Sequence, residues 1–133
     1  MQCVGIPKGV ASTAAGAFIT EGKYKGIEFT ELSEGETLEG ALRAEGSSAQ
    51  PSGSEYFYVE VPGGESGKVT RLLHRVPPGT RHPLQFGREV LCRLLQVPEK
   101  IQWKACMAGT ESETAQALAF REAFKQQDFT LTL

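Results

Sequence analysis

Apolar and polar positions are most clearly ordered over Tyr56-Phe57-Tyr58-Val59-Glu60-Val61, which is aromatic or β-branched at every position but one. That is the composition of a pleated, half-buried strand, with Phe57, Val59 and Val61 on the core face and Tyr56 and Tyr58 on the other. The chain then turns through Pro62-Gly63-Gly64-Glu65-Ser66-Gly67 into Lys68-Val69-Thr70-Arg71-Leu72-Leu73-His74, so the two segments predict an antiparallel hairpin. Upstream, Ala17-Phe18-Ile19-Thr20 and Tyr24-Lys25-Gly26-Ile27-Glu28-Phe29-Thr30 predict a first strand block. Within it Ile27 and Phe29 alternate with Glu28 and Thr30, and Gly22 and Gly26 mark a bend or bulge. Glu31 to Glu45 suits a short helix or a further strand, and Gly46 to Ser54 is a loop by composition.

Downstream of Pro77-Pro78-Gly79 the period changes. Val90, Leu91, Leu94 and Leu95 fall on one face of a helix ending before Pro98. Ile101, Trp103 and Ala105 alternate with polar neighbours and predict a short strand. Thr110-Glu111-Ser112-Glu113 has the form of a capping box, opening a second helix with Ala117, Phe120 and Phe124 on one face. Phe129, Leu131 and Leu133 alternate with threonines and predict a closing strand. No internal repeat is present. The expected fold is α+β: an antiparallel sheet or small oligonucleotide-binding-like barrel, with two helices packed on one face, mainly in the C-terminal half. Residues 1–16, glycine-rich and irregular, are expected to form a flexible or docking arm, and residues 17–133 a single α+β domain.

Composition narrows the class. Of 133 residues, 40% are apolar and 23% charged, a globular balance with enough chain for a core. No apolar run approaches a membrane span, and the first residues lack the pattern of a secretion signal. A cytoplasmic location follows as the expectation, or a virion-associated one for a chain of phage origin. Cys3, Cys92 and Cys106 are odd in number and widely spaced, which suits reduced, structural thiols. The chain has no Asn and a single Asp, Asp128, which argues against Asp-rich metal and nuclease chemistry.

Charge is sorted along the sequence. Nine acids and one base lie between Glu28 and Glu65, a net of −8; six bases and one acid lie between Gly67 and Arg93, a net of +5. Such sorting can make one face attractive to an anion. Aromatic residues stand beside the bases. Lys23-Tyr24-Lys25 places a ring between two cations, and Tyr56 and Tyr58 lie on the strand paired with Lys68, Arg71 and Arg75, with Arg81 beyond. Cations that follow phosphates and rings that stack on bases together bind single strands. The competing reading places these rings in the core with their hydroxyls at its edge.

Other chemistry is poorly supported. Gly63 to Thr70 superficially matches a phosphate-binding loop, but Pro62 stands where its first glycine is required, Val69 follows Lys68, and a strand follows rather than a helix. His74 and His82 lack further ligands at zinc spacing, and Cys92 falls within a helix interior rather than at a reactive site. No metal, cofactor or catalytic residue is expected.

The sequence thus reads as a non-enzymatic module binding single-stranded DNA or RNA through a β-sheet face. Lys23, Tyr24, Lys25, Tyr56, Tyr58, Lys68, Arg71, Arg75 and Arg81 are the candidate contacts. Over Ala17 to Val97 the composition is similar to that of small phage and bacterial single-strand-binding proteins of the barrel type, without their acidic tail; that resemblance implies the same ligand. The alternative is a structural or assembly subunit, or an adaptor, contacting itself or another protein through the acidic 28–65 segment and the 1–16 arm.

Overall fold

The computed structural model describes residues 1–44, 55–63 and 67–132. The loop expected at Gly46 to Ser54, the centre of the hairpin turn and Leu133 lie outside the described residues. Two compact units are present, Met1–Ile101 and Gln102–Leu133.

The first unit is α+β and its sheet is small. Helix α1 (Lys8–Ala11) is a single turn after Pro7, and α2 spans Ala14–Tyr24. Strand β1 is only Thr30–Glu31, followed by α3 (Leu38–Ala44). The long strands are β2 (Tyr56–Gly63) and β3 (Lys68–Arg75), and α4 covers Phe86–Leu94. The strand order is β1-β3-β2, antiparallel throughout. Among the described residues the sheet has three strands and does not close, so the oligonucleotide-binding barrel is not supported.

The hairpin forms as its alternation requires. Phe57, Val59 and Val61 pair with His74, Leu72 and Thr70 and face the main core. On that side lie α2 and α4, contributing Ala14, Phe18, Phe86 and Val90. Four phenylalanines meet there: the Phe57 ring lies 5.4 Å from Phe86, 6.1 Å from Phe29 and 6.2 Å from Phe18. The opposite side carries a smaller cluster of Leu32, Ala41 and Leu73, with Leu38, Leu42 and Tyr58 around it.

The expected strand at Ala17–Tyr24 is instead the helix α2. Its buried residues are Ala14, Phe18 and Gly22, one helical face at fourfold spacing. Gly22 is a packing glycine: a Cβ there would lie 2.8 Å from the Ile27 carbonyl oxygen and 3.0 Å from the Phe29 ring. Gly26 stops the helix. At φ +69° it occupies the left-handed position, while Ile27 N–H donates to Gly22 O (2.8 Å) and Gly26 N–H to Lys23 O (3.3 Å). Helix α4 ends in the same way without a glycine, with Gln96 at φ 58°. Ion pairs Lys25–Glu89 (2.6 Å) and Arg93–Glu21 (3.2 Å) join α2 to α4 at their surface. The two helices on the main-core face of the sheet are therefore α2 and α4, one from each half of the unit, with α3 on the other face.

In the second unit α5 spans Thr110–Phe124, with no buried residue. Gly109, not Thr110, holds the N-cap, so the capping box is not made. The strand expected at Ile101 to Cys106 is replaced by 3-10 turns, Ala105 N–H donating to Gln102 O at 2.9 Å. With no partner strand among the described residues, the backbone bonds locally. The closing strand is likewise a 3-10 turn, Phe129–Thr132. Asp128 causes it: its carboxylate accepts from Thr130 N–H (3.0 Å) and the Thr130 hydroxyl (2.5 Å).

Two glycines of one helix should respond oppositely to alanine. Gly22→Ala forces a Cβ onto fixed backbone and should cost about 1–3 kcal/mol. Gly16→Ala meets nothing within 4 Å, and should gain about 0.5–1 kcal/mol from helix propensity. Denaturant unfolding of the two variants checks the sign of each.

Candidate nucleic-acid interface

The polar face of the hairpin is set by register. Tyr56 lies opposite Arg75, Tyr58 opposite Leu73 and Glu60 opposite Arg71. Tyr56 remains 47% exposed. Tyr58 is half-buried against the smaller cluster, and its hydroxyl donates to the Glu60 carboxylate at 2.5 Å. Burial, then that hydrogen bond and the Glu60 charge, raise its pKa against the opposing pull of Arg71. The two tyrosines therefore differ: Tyr56 is exposed, and Tyr58 has its ring against the smaller cluster and its hydroxyl at the edge.

The acidic and basic segments, separate in sequence, are neighbours in space. β1 pairs with β3, and the chain beyond it crosses the basic strand. Lys68 is 3.4 Å from the Glu34 carboxylate. Arg71 donates to Ser33 O, and Arg75 donates to Ala41 O. The local conformation of this crossing is determined by its own side chains. The Glu36 carboxylate accepts from Ser33 N–H (3.0 Å) and the Ser33 hydroxyl (3.1 Å), and Thr37 Oγ1 accepts from Gly40 N–H (3.0 Å) at the start of α3. At the end of the hairpin, Arg75, His74 and Pro77 line a cleft of about 360 Å³ with Glu28, Glu36 and Gly26.

The remaining candidates are dispersed. Lys23 is exposed near the end of α2, and Tyr24 beside it is 80% exposed. Lys25 is held by Glu89. Arg81 is exposed in the loop between β3 and α4. The structure thus gathers Tyr56, Tyr58, Arg71 and Arg75 on one face of the hairpin, with Lys68 at its turn end, while Lys23, Tyr24 and Arg81 stand elsewhere on the surface.

The two histidines, set aside in the sequence as a poor zinc pair, come together in the structure. His74 and His82, eight residues apart across the Pro-Pro-Gly turn, meet with ring centroids 5.7 Å apart. His74 is buried, its Nδ1 2.8 Å from the Glu28 carbonyl oxygen. His82 stacks on Phe57 at 4.8 Å, and both its ring nitrogens are buried without a hydrogen-bond partner among the described residues. The available signal was the alternation itself, which puts Leu72 and His74 on the core face of β3. The turn that returns the chain is also legible: Pro78 and Gly79 (φ 78°) take the two central positions, with Thr80 N–H donating to Pro77 O at 3.1 Å. Burial first, then the neighbouring His74, lowers the pKa of His82, against a smaller opposing effect of Glu55.

Comparison with known proteins gives one consistent family. The family described as "Protein similar to CwfJ C-terminus 2" matches residues 28–130. The chain is 37% identical over 135 residues to CWF19-like protein 1 of Mus musculus and of Homo sapiens, covering 98% of this chain and 22% of each relative. It is 30% identical over 129 residues to CWF19-like protein mug161 of Schizosaccharomyces pombe, covering 97% of this chain and 19% of that protein. The chain therefore spans about a fifth of the length of these curated relatives. No solved structure matches it.

His82 should make stability pH-dependent. It takes a proton more readily unfolded, near its ordinary value of 6.5, than folded. Its contribution is full above that pH and is lost as pH falls through the lowered folded value. Denaturant unfolding at about pH 7.5 and about pH 5.5 should show the loss. His82→Phe, which keeps a ring on Phe57, should shrink the difference; an unchanged difference would assign it to other groups.

Proposed function

The chain belongs to the family of proteins similar to the CwfJ C-terminus, and from that premise we propose that it is a non-enzymatic, RNA-contacting module of a splicing-related protein. The observation that carries the reading is the exposed ring of Tyr56 directly across from Arg75, at the end of the hairpin. A flat ring offers stacking to an unpaired base, and the adjacent guanidinium offers charge to its phosphate. Tyr24, Lys23 and Arg81 supply further exposed rings and cations along the surface. Arg71, Arg75 and Lys68 are engaged by Ser33, Ala41 and Glu34, so few phosphates are met. Binding is expected to be weak and only moderately salt-dependent, in keeping with few released counterions. On this reading the single strand is RNA rather than DNA, a choice supported by the splicing-related character of the family.

A second reading, contact with another protein, is favoured by the second unit. Trp103, Met107, Phe120 and Phe124 are all exposed there, and the last two stack at 5.8 Å. Apolar surface of that kind marks interaction sites more often than solvent-facing ones.

The test is fluorescence anisotropy of a labelled single-stranded RNA of about 30 nucleotides at low and moderate salt. Tyr56→Ala should weaken binding by about 1–3 kcal/mol, the worth of one stacked base. Arg81→Gln and Lys23→Gln should each reduce affinity modestly and lower the salt slope by about one. Lys68→Gln, whose ammonium already faces Glu34, should matter least. No binding at low salt rejects the RNA reading and leaves the protein partner.

A further inference from the structure

The order β1-β3-β2 leaves β2 an outer strand of 8 residues, Tyr56–Gly63. Which of its backbone groups point outward follows from the ladder. Glu55 O accepts from Val76 N–H at 3.0 Å, and Phe57, Val59 and Val61 pair with His74, Leu72 and Thr70. On the other side of β3, Leu32 N–H donates to Arg71 O at 2.9 Å, so Arg71 turns its groups towards β1 and its neighbours turn theirs towards β2. In an antiparallel ladder, alternate residues face alternate sides. The N–H and C=O groups of Tyr56, Tyr58 and Glu60 therefore face away from β3, and among the described residues no backbone group pairs with them. A long open edge is a template for a further strand, and proteins that do not use one normally blunt it. Here the first six residues are mostly aromatic or β-branched, and proline enters only at Pro62.

We propose that this edge pairs with the same edge of a second copy of the chain, antiparallel about a two-fold axis at Tyr58. Self-complementarity identifies the occupant. With the axis at Tyr58, the two Tyr58 residues pair with each other and Tyr56 pairs with Glu60 of the second copy, so every outward N–H finds a carbonyl. On the polar face the cross-strand row becomes Arg71, Glu60, Tyr56 of the second copy and Arg75 of the second copy. Each carboxylate then lies between a guanidinium and a phenol, and no like charges are opposed. The central row becomes Leu73, Tyr58, Tyr58 of the second copy and Leu73 of the second copy, an apolar and aromatic stripe. Registers shifted towards the turn are poorer. An axis at Glu60 opposes two carboxylates, and an axis at Val59 puts Pro62, which has no N–H, opposite Tyr56. The pairing joins two small sheets into one continuous sheet.

Light scattering of the full chain over a wide concentration range should show a mass rising from one chain to two. Glu60→Pro removes an N–H that faces away from β3, so the hairpin's own bonds stay intact, which circular dichroism verifies. It should weaken the dimer at least about tenfold, because each copy loses a ladder bond. Glu60→Ala keeps the N–H and should remain dimeric. A chain that stays monomeric throughout, or a Glu60→Pro variant that dimerises as tightly as the parent, overturns the proposal. Should Glu60→Pro not fold, Tyr58→Cys with Cys3→Ser and Cys106→Ser gives a second measurement. Directly opposed Cα atoms about 5.5 Å apart lie within disulfide reach. Oxidation should then yield a linked dimer for cysteine at 58 and none for Tyr24→Cys in the same background; equal linking at both positions, or none at 58, rejects the two-fold pairing.

Discussion

The structure depends on the register of β2 against β3. A slip of one residue would exchange the faces of every side chain in the strand. Phe57, Val59 and Val61 would leave the core that α2 and α4 enclose, and Tyr58 would leave the small cluster beneath α3. Phe57 makes the penalty largest, because its ring touches Phe18, Phe29, Phe86 and His82 at once. Even Gly87 reflects this crowding: a Cβ there would come within 3.2 Å of the Phe57 ring. The register thus determines both what is buried and which polar groups are presented on the other face.

That polar face is shaped by competition for cations. Arg71 and Arg75 reach across to backbone carbonyls of the acidic segment, at sequence separations of 38 and 34 residues. A guanidinium bonded to a carbonyl still carries its charge, so these arginines serve as positioning groups and as electrostatic features together. Tyr58 sits between Glu60 and Arg71 and has become part of the same network. Tyr56, one step towards the hairpin's end, escapes it and stays accessible.

What could be read from the sequence was what local pattern encodes. The β2–β3 hairpin and the helix at Val90 were legible because alternation and fourfold spacing are each complete within a few residues. The helix α2 was not, because Ala14 and Gly22 on its inner face carry almost no hydrophobic signal, and Gly22 resembles a strand bulge until Ile27 and Phe29 are seen against it. The last residues alternate like a strand, yet the Asp128 carboxylate captures Thr130 and curls them into a turn. The facing of Tyr56 and Tyr58 followed from strand parity. The meeting of Lys68 with Glu34 is a tertiary contact that no window of sequence contains, whereas that of His74 with His82 could have been drawn from parity and the Pro-Pro-Gly turn.

The crossing of the acidic segment over β3 has one more consequence, for the molecule's electric field. A chain map of −8 followed by +5 suggests a large dipole moment. Folding lays much of the first segment against the second, so opposite charges stand angstroms apart and their fields largely cancel beyond a Debye length. An approaching anion is therefore little steered from a distance. Were a charged partner to bind this face, it would be held by contacts at short range rather than drawn in by the field.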